Sequence, residues 1–145
     1  MVEDPAPVLV SACLLGIECD HRGDGRPIVA ALRELGRASR LIPVCPEVAG
    51  GLPTPRPAAE IQRDGRVQTA SGDDVTELYE RGARHAVALA RAAGVRRAVL
   101  KARSPSCGCH EVYDGSHSDV LVAGEGITAS ALRSAGIEVM SEEDL

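Results

Sequence analysis

The sequence predicts a three-layer α/β fold, a mostly parallel, Rossmann-like sheet with helices on both faces and a small β-hairpin appendage. Three observations carry this expectation. Short apolar runs of strand type alternate with helix-periodic segments. The order helix, glycine, strand occurs three times, at Gly36, Gly94 and Gly136. Three cysteines, Cys13, Cys45 and Cys107, each follow a predicted strand. In an open parallel sheet ligands bind outside the carboxyl ends of the strands, so these thiols can converge on one site from distant parts of the chain.

The first strand is Val8-Leu9-Val10-Ser11-Ala12, which runs into Cys13 and a turn rich in glycine and charge. Pro27 suits the first turn of a helix whose buried stripe is Ile28, Leu32 and Leu35, and Gly36 is placed to end it. The second strand, Leu41-Ile42-Pro43-Val44, delivers Cys45-Pro46-Glu47. From there to Glu60, Gly and Pro break the chain too often for a regular element, and a long loop that starts at a candidate site residue reads as functional. Asp64-Gly65, between Ile61-Gln62-Arg63 and Arg66-Val67-Gln68-Thr69, signals a two-residue type I′ hairpin.

The strongest helix is expected from Asp74, with Glu77 as capping-box partner. Its stripe Val75, Leu78, Tyr79, Gly82, Ala83, Ala86, Val87 and Ala90 holds the i, i+3, i+4 rhythm to Ala93, before Gly94. Arg97-Ala98-Val99-Leu100 is the third strand, and the chain then breaks into Ser104-Pro105-Ser106-Cys107-Gly108. Val112 and Tyr113 start a short strand paired with Val120-Leu121-Val122. Thr128 caps a last helix, Gly136 ends it, and Ile137 to Met140 form a final strand.

At 145 residues the chain forms one domain, 1–145, able to bury roughly 70% of the surface its unfolded form exposes. With no Phe or Trp and two Tyr, the core is built from Val, Leu, Ile and Ala, and stacking platforms for single-stranded nucleic acid are missing. A net charge of -5 argues against general nucleic-acid binding, which calls for a basic face. No apolar run approaches the roughly 20 residues of a membrane span, and Glu3 and Asp4 stand where a secretory signal would be basic and apolar. The expected location is cytoplasmic, where five cysteines read as metal-binding or catalytic thiols rather than a disulfide framework.

Cys13, Cys45 and Cys107 share no short spacing, so no local zinc finger or ribbon is indicated, and Cys107 and Cys109 lack the common gap of two to four residues. Thiolates hold iron–sulfur clusters, and three of them in place of four would leave one iron open as a Lewis acid. Buried packing cysteines are the plainer alternative. Beside the three lie Glu47 and Ser104, an acid/base candidate and a hydroxyl, which alone would read as a loop carboxylate and a turn former. Cys19 reads as a spare thiol, a disulfide partner or a packing residue. His85 belongs to the helix surface, and His21, His110 and His117 sit in loops without a ligand-spaced partner.

Several blocks together carry a resemblance: Ser11-Ala12-Cys13-Leu14-Leu15-Gly16, Cys45-Pro46-Glu47-Val48 with Gly50-Gly51-Leu52 and Pro55-Arg56, Lys101 with Ser104-Pro105-Ser106-Cys107-Gly108, Tyr113-Asp114-Gly115, and Gly124-Glu125-Gly126-Ile127-Thr128-Ala129. In order and over nearly the whole chain they resemble the thiouracil desulfidase (TudS-like) family. The resemblance implies a [4Fe-4S] cluster on Cys13, Cys45 and Cys107, with one iron lacking a protein ligand. It implies non-redox conversion of the C=S of a small thiolated pyrimidine to C=O with release of hydrosulfide, and acid/base roles for Glu47 and Ser104. Asp20-His21-Arg22-Gly23 and His117 depart from the family pattern, at positions that bear on pocket shape. The alternative expectation is a non-catalytic iron–sulfur or sulfide-binding module; retention of Glu47 and Ser104 favours the enzyme.

Overall fold

Four short apolar segments form the central sheet in a computed structural model that describes residues 5–145. They are β1 (Val8–Ser11), β2 (Leu41–Val44), β5 (Arg97–Leu100) and β8 (Glu138–Ser141), all parallel, in the order β2-β1-β5-β8. Leaving β1 the chain passes to β2 on one side, then returns to β5 on the other, so the switch point lies between β1 and β5. The connection leaving β1 runs towards β2 and the one leaving β5 towards β8, in opposite directions, which leaves a crevice at the carboxyl ends of these two strands.

Strand alternation sorts the apolar side chains onto two faces. Val8, Val10 and Val99 pack with Leu32 of α1 (Ala30–Ala38) and with Ile28 and Leu35. Leu9, Ala98 and Leu100 pack on the opposite face against Ala86 and Ala90 of α3 (Thr76–Ala93) and Ala129 and Leu132 of α4 (Ile127–Ser134). Leu9, Leu32, Leu100 and Leu132 are completely buried, each worth roughly 1.5–3 kcal/mol relative to exposure. This is the expected three-layer α/β arrangement.

Two antiparallel pairs stand outside the sheet: β3 (Ala59–Ile61) with β4 (Val67–Thr69), and β6 (Glu111–Tyr113) with β7 (Leu121–Ala123). The first is the expected hairpin with a different turn. Gly65 N donates to Gln62 O and Gln62 N to Arg66 O, and only Gly65 has positive φ, +86°. A type I turn with a glycine bulge therefore replaces the expected type I′, which requires positive φ at both central residues.

Helix ends differ from expectation where tertiary contacts take over the capping. The first helix starts at Ala30 rather than Pro27, because Arg26 N donates to Cys13 O and the chain leaves that turn without helical structure as far as Val29, whose backbone is extended. Gly36 lies inside it against Leu41, while Gly94 and Gly136 take the left-handed conformation. Thr76, not Asp74, begins the long helix, with Asp74 Oδ1 accepting from both the N–H and the hydroxyl of Thr76. A four-residue helix, α2 (Pro46–Ala49), occupies the start of the stretch expected to be irregular, with proline at its first position. Among the described residues no helix is long and apolar enough to cross a membrane.

Candidate active site

Each of the three strand-end cysteines is held by a different local device. Cys13 lies in a 3-10 turn, Ala12–Leu15, closed by Gly16 in the left-handed conformation. Cys45 immediately precedes α2, and its carbonyl accepts from Ala49 N. Cys107 follows β5 in a loop docked on the start of α4. There Ile127 N donates to Pro105 O, Thr128 N and Ala129 N to Ser106 O, and the Thr128 and Ser106 hydroxyls meet at 2.8 Å. These loop carbonyls satisfy the helix's first N–H groups, so Thr128 packs inside instead of capping. Gly126 is required, since a Cβ there would overlap the Ser106 carbonyl.

All five residues singled out in the sequence line one cavity of about 500 Å³: Cys13, Cys45, Cys107, Glu47 and Ser104. Cys19 lines it too, its carbonyl accepting from the Cys45 thiol at 3.6 Å. Cys109 does not line it. That residue is buried in the core near His110 and Asp144, which bond to each other at 2.7 Å. His85 is exposed, as expected, and His117 sits beside Glu60 outside the cavity lining.

The thiol set suits a thiolate-bound group. Burial pushes Cys13 up to about 11, and the nearby Cys45 adds to this. Burial pushes Cys107 up to about 12, against a hydrogen bond from the Ser11 hydroxyl, with Glu47, Cys13 and Cys45 raising it further. Burial and the neighbouring sulfur atoms thus favour the protonated form of Cys13 and Cys107, a preference that a cationic group bound to them would reverse. Three soft thiol donors on one cavity are the ligand chemistry of an iron–sulfur cluster.

Glu47 is fixed by a second network. Its Oε1 accepts from the Tyr79 hydroxyl at 2.7 Å and from Arg56 Nε at 3.1 Å. Oε2 has no hydrogen-bond partner among the described residues. The two helices that carry Glu47 and Tyr79 touch backbone to backbone: a Cβ on Gly82 would overlap the Pro46 carbonyl, and one on Gly50 the Leu78 carbonyl. Arg56 and Tyr79 were not picked out as site residues by the sequence reading. The available signal was one of only two tyrosines placed on a buried stripe, since a buried phenol needs a partner.

Ser104 does two things at once. Its hydroxyl oxygen accepts from Ser106 N at 3.1 Å and Cys107 N at 3.0 Å, which shapes the Cys107 turn. With both lone pairs engaged, the hydroxyl has only its proton left to offer, so it serves the cavity as a donor. The mouth is polar: Lys101, Arg26, Asp20 and Glu60 lie on its walls. Glu60 Oε1 accepts from Gly115 N and His117 N, tying the loop between β6 and β7 to the hairpin.

The profile of the 2-thiouracil desulfurase family matches residues 8–144. The chain is 40% identical to the uncharacterized protein YbbK of Bacillus subtilis (strain 168), over 95% of this chain and 97% of that one. It superposes with a TM-score of 0.92 on a solved structure described as a [4Fe-4S]-dependent thiouracil desulfidase, TudS, at 48% identity, covering 97% of this chain and 93% of the other.

Proposed function

Because this chain belongs to the 2-thiouracil desulfurase family, we propose that it is a desulfidase acting on a small thiolated pyrimidine of thiouracil or thiouridine type. The ring C=S plus water becomes C=O plus hydrosulfide and a proton, with no net change in oxidation state. One observation carries the reading: a carboxylate anchored through a single oxygen shares a cavity with three strand-end thiols and a hydroxyl whose proton is free.

Cys13, Cys45 and Cys107 are the residues that would hold a [4Fe-4S] cluster, leaving one iron without a protein ligand; when bound it supplies a soft Lewis acid for sulfur. Glu47 Oε2 takes the proton of the attacking water, while Arg56 and Tyr79 keep Oε1 occupied and the carboxylate in place. Ser104 donates its hydroxyl proton towards charge that develops on the substrate. A reducing compartment such as the cytoplasm suits three free thiols with this duty.

The test is anaerobic reconstitution followed by sulfide release from 2-thiouracil, 4-thiouridine and its monophosphate. Wild-type protein should turn over at least one of them. Glu47→Gln should keep its iron and lose about 10²–10⁴-fold in kcat. Wild-type protein with a full cluster that releases no sulfide from any of the three would replace the enzyme with a cluster or sulfide carrier.

A further inference from the structure

Resting on that reading, we propose that Arg56 is a positioning residue, whose guanidinium locks the proton-handling carboxylate of Glu47 to the sulfur of Cys45 and has no donor left for substrate. A cation on the wall of a small-molecule cavity would ordinarily be read as a substrate anchor. The hydrogen bonds exclude that here.

Arg56 sits among Pro53, Pro55 and Pro57, in a loop whose prolines supply no N–H groups. Its N–H donates to His21 O at 2.7 Å, and its side chain folds inward until only 2% is exposed. A guanidinium has five N–H donors. Nε serves Glu47 Oε1 at 3.1 Å, Nη1 serves Pro53 O at 3.2 Å and Thr54 Oγ1 at 3.1 Å, and Nη2 serves Cys19 O at 2.9 Å and reaches Cys45 Sγ at 3.9 Å. All five are engaged. One rigid plane therefore spans from the carboxylate to the thiol that precedes it by two residues, and sets the relation between them.

Lysine cannot do this. It keeps the charge but presents three donors at one point, so it can serve one end of the span and not both. Charge alone and geometry are therefore separable by substitution.

The experiment measures reconstituted wild-type protein, Arg56→Lys, Arg56→Gln, Glu47→Gln and Arg56→Lys/Glu47→Gln, each for iron content, cluster midpoint potential, kcat and KM with 2-thiouracil. Arg56→Lys retains the buried charge and is the variant that protects against a folding failure of Arg56→Gln. It should keep its iron, change KM less than threefold and lose kcat at least tenfold. Added to Glu47→Gln, it should cost less than a further threefold, because residues that act as one unit are not additive. Arg56→Gln should move the midpoint potential to more negative values, since a cationic donor beside a ligand sulfur favours the reduced cluster. A raised KM with unchanged kcat in Arg56→Lys would make Arg56 a substrate anchor and overturn the proposal, as would fully additive losses in the double variant. Wild-type protein that carries a full cluster and releases no sulfide would remove the desulfidase reading instead, whereas wild-type kcat in Arg56→Lys removes only the role given to Arg56.

Discussion

The Tyr79 hydroxyl donates a 2.7 Å hydrogen bond to Glu47 Oε1, joining the 18-residue α3 to the four-residue α2 across a backbone contact. Burial first, and then the charge of Glu47, push the ionisation of this phenol well above its ordinary 10.0, so it stays a donor at any working pH. Tyr79→Phe removes the donor and leaves Arg56 to hold the carboxylate alone. The expected cost is about 1 kcal/mol of stability, read as a lower denaturant midpoint at unchanged m, with kcat reduced less than in Arg56→Lys.

Gly82→Ala tests the same junction from the backbone side. The added methyl would overlap the Pro46 carbonyl, so the short helix must move away from the long one. A loss of about 1–3 kcal/mol is expected, together with a lower kcat, because Glu47 travels with the displaced helix. An unchanged melting temperature would mean that the helices can separate without consequence.

The three strand-end thiols should behave alike and the others should not. Cys13→Ala, Cys45→Ala and Cys107→Ala are each expected to abolish stoichiometric iron and sulfide after anaerobic reconstitution, while Cys109→Ala retains both. Iron analysis beside the visible spectrum decides this. Stoichiometric zinc with no iron in the wild-type protein would contradict the assignment.

Ser104→Ala should fail in two ways that Ser104→Thr separates. Alanine removes the acceptor for Ser106 N and Cys107 N, loosening the turn that carries Cys107, and it also removes the proton offered to the cavity. Threonine keeps the hydroxyl. Iron retention and kcat are therefore both expected to fall in the alanine variant, and iron retention to return in the threonine variant.

Acid should weaken the hairpin end of the molecule through Asp74. The Thr76 hydroxyl and N–H, with Arg66, hold this carboxyl at about 2 instead of 3.8. A depressed folded-state value gives stability that is present above the unfolded value and lost as pH falls through the folded one, so the loss runs from about pH 4 towards pH 2. Asp74→Asn should flatten that part of a stability–pH curve, measured by urea denaturation at each pH.

The sheet and its cysteines could be anticipated because both follow from short-range rules. Val8 to Val10 and Ala98 to Leu100 alternate between faces, and each strand ends where polar residues begin. What escaped prediction depends on contacts between distant segments. Thr128 looked like a cap until the Pro105 and Ser106 carbonyls took that role, and Gly36 looked like a stop although the helix runs on over Leu41. Gly82 was legible as a member of a buried stripe, but not as the point of closest approach to Pro46. Without that approach nothing connects Tyr79 with Glu47, and Arg56 reaches Glu47 only through the folding of the proline-rich loop back over it, which is why neither stood out among the candidates.

The sheet order β2-β1-β5-β8 also has a consequence for biosynthesis. Cys13 and Cys45 leave the ribosome early on neighbouring strands, but Cys107 arrives only after β5, and its loop is held by a helix made later still. Until that helix docks, the two early thiols face a half-built sheet whose inner strand has an open edge. Insertion of the proposed cluster would thereby be deferred until nearly the whole chain has been synthesised, and a system delivering it would have to recognise the finished fold and not the emerging peptide.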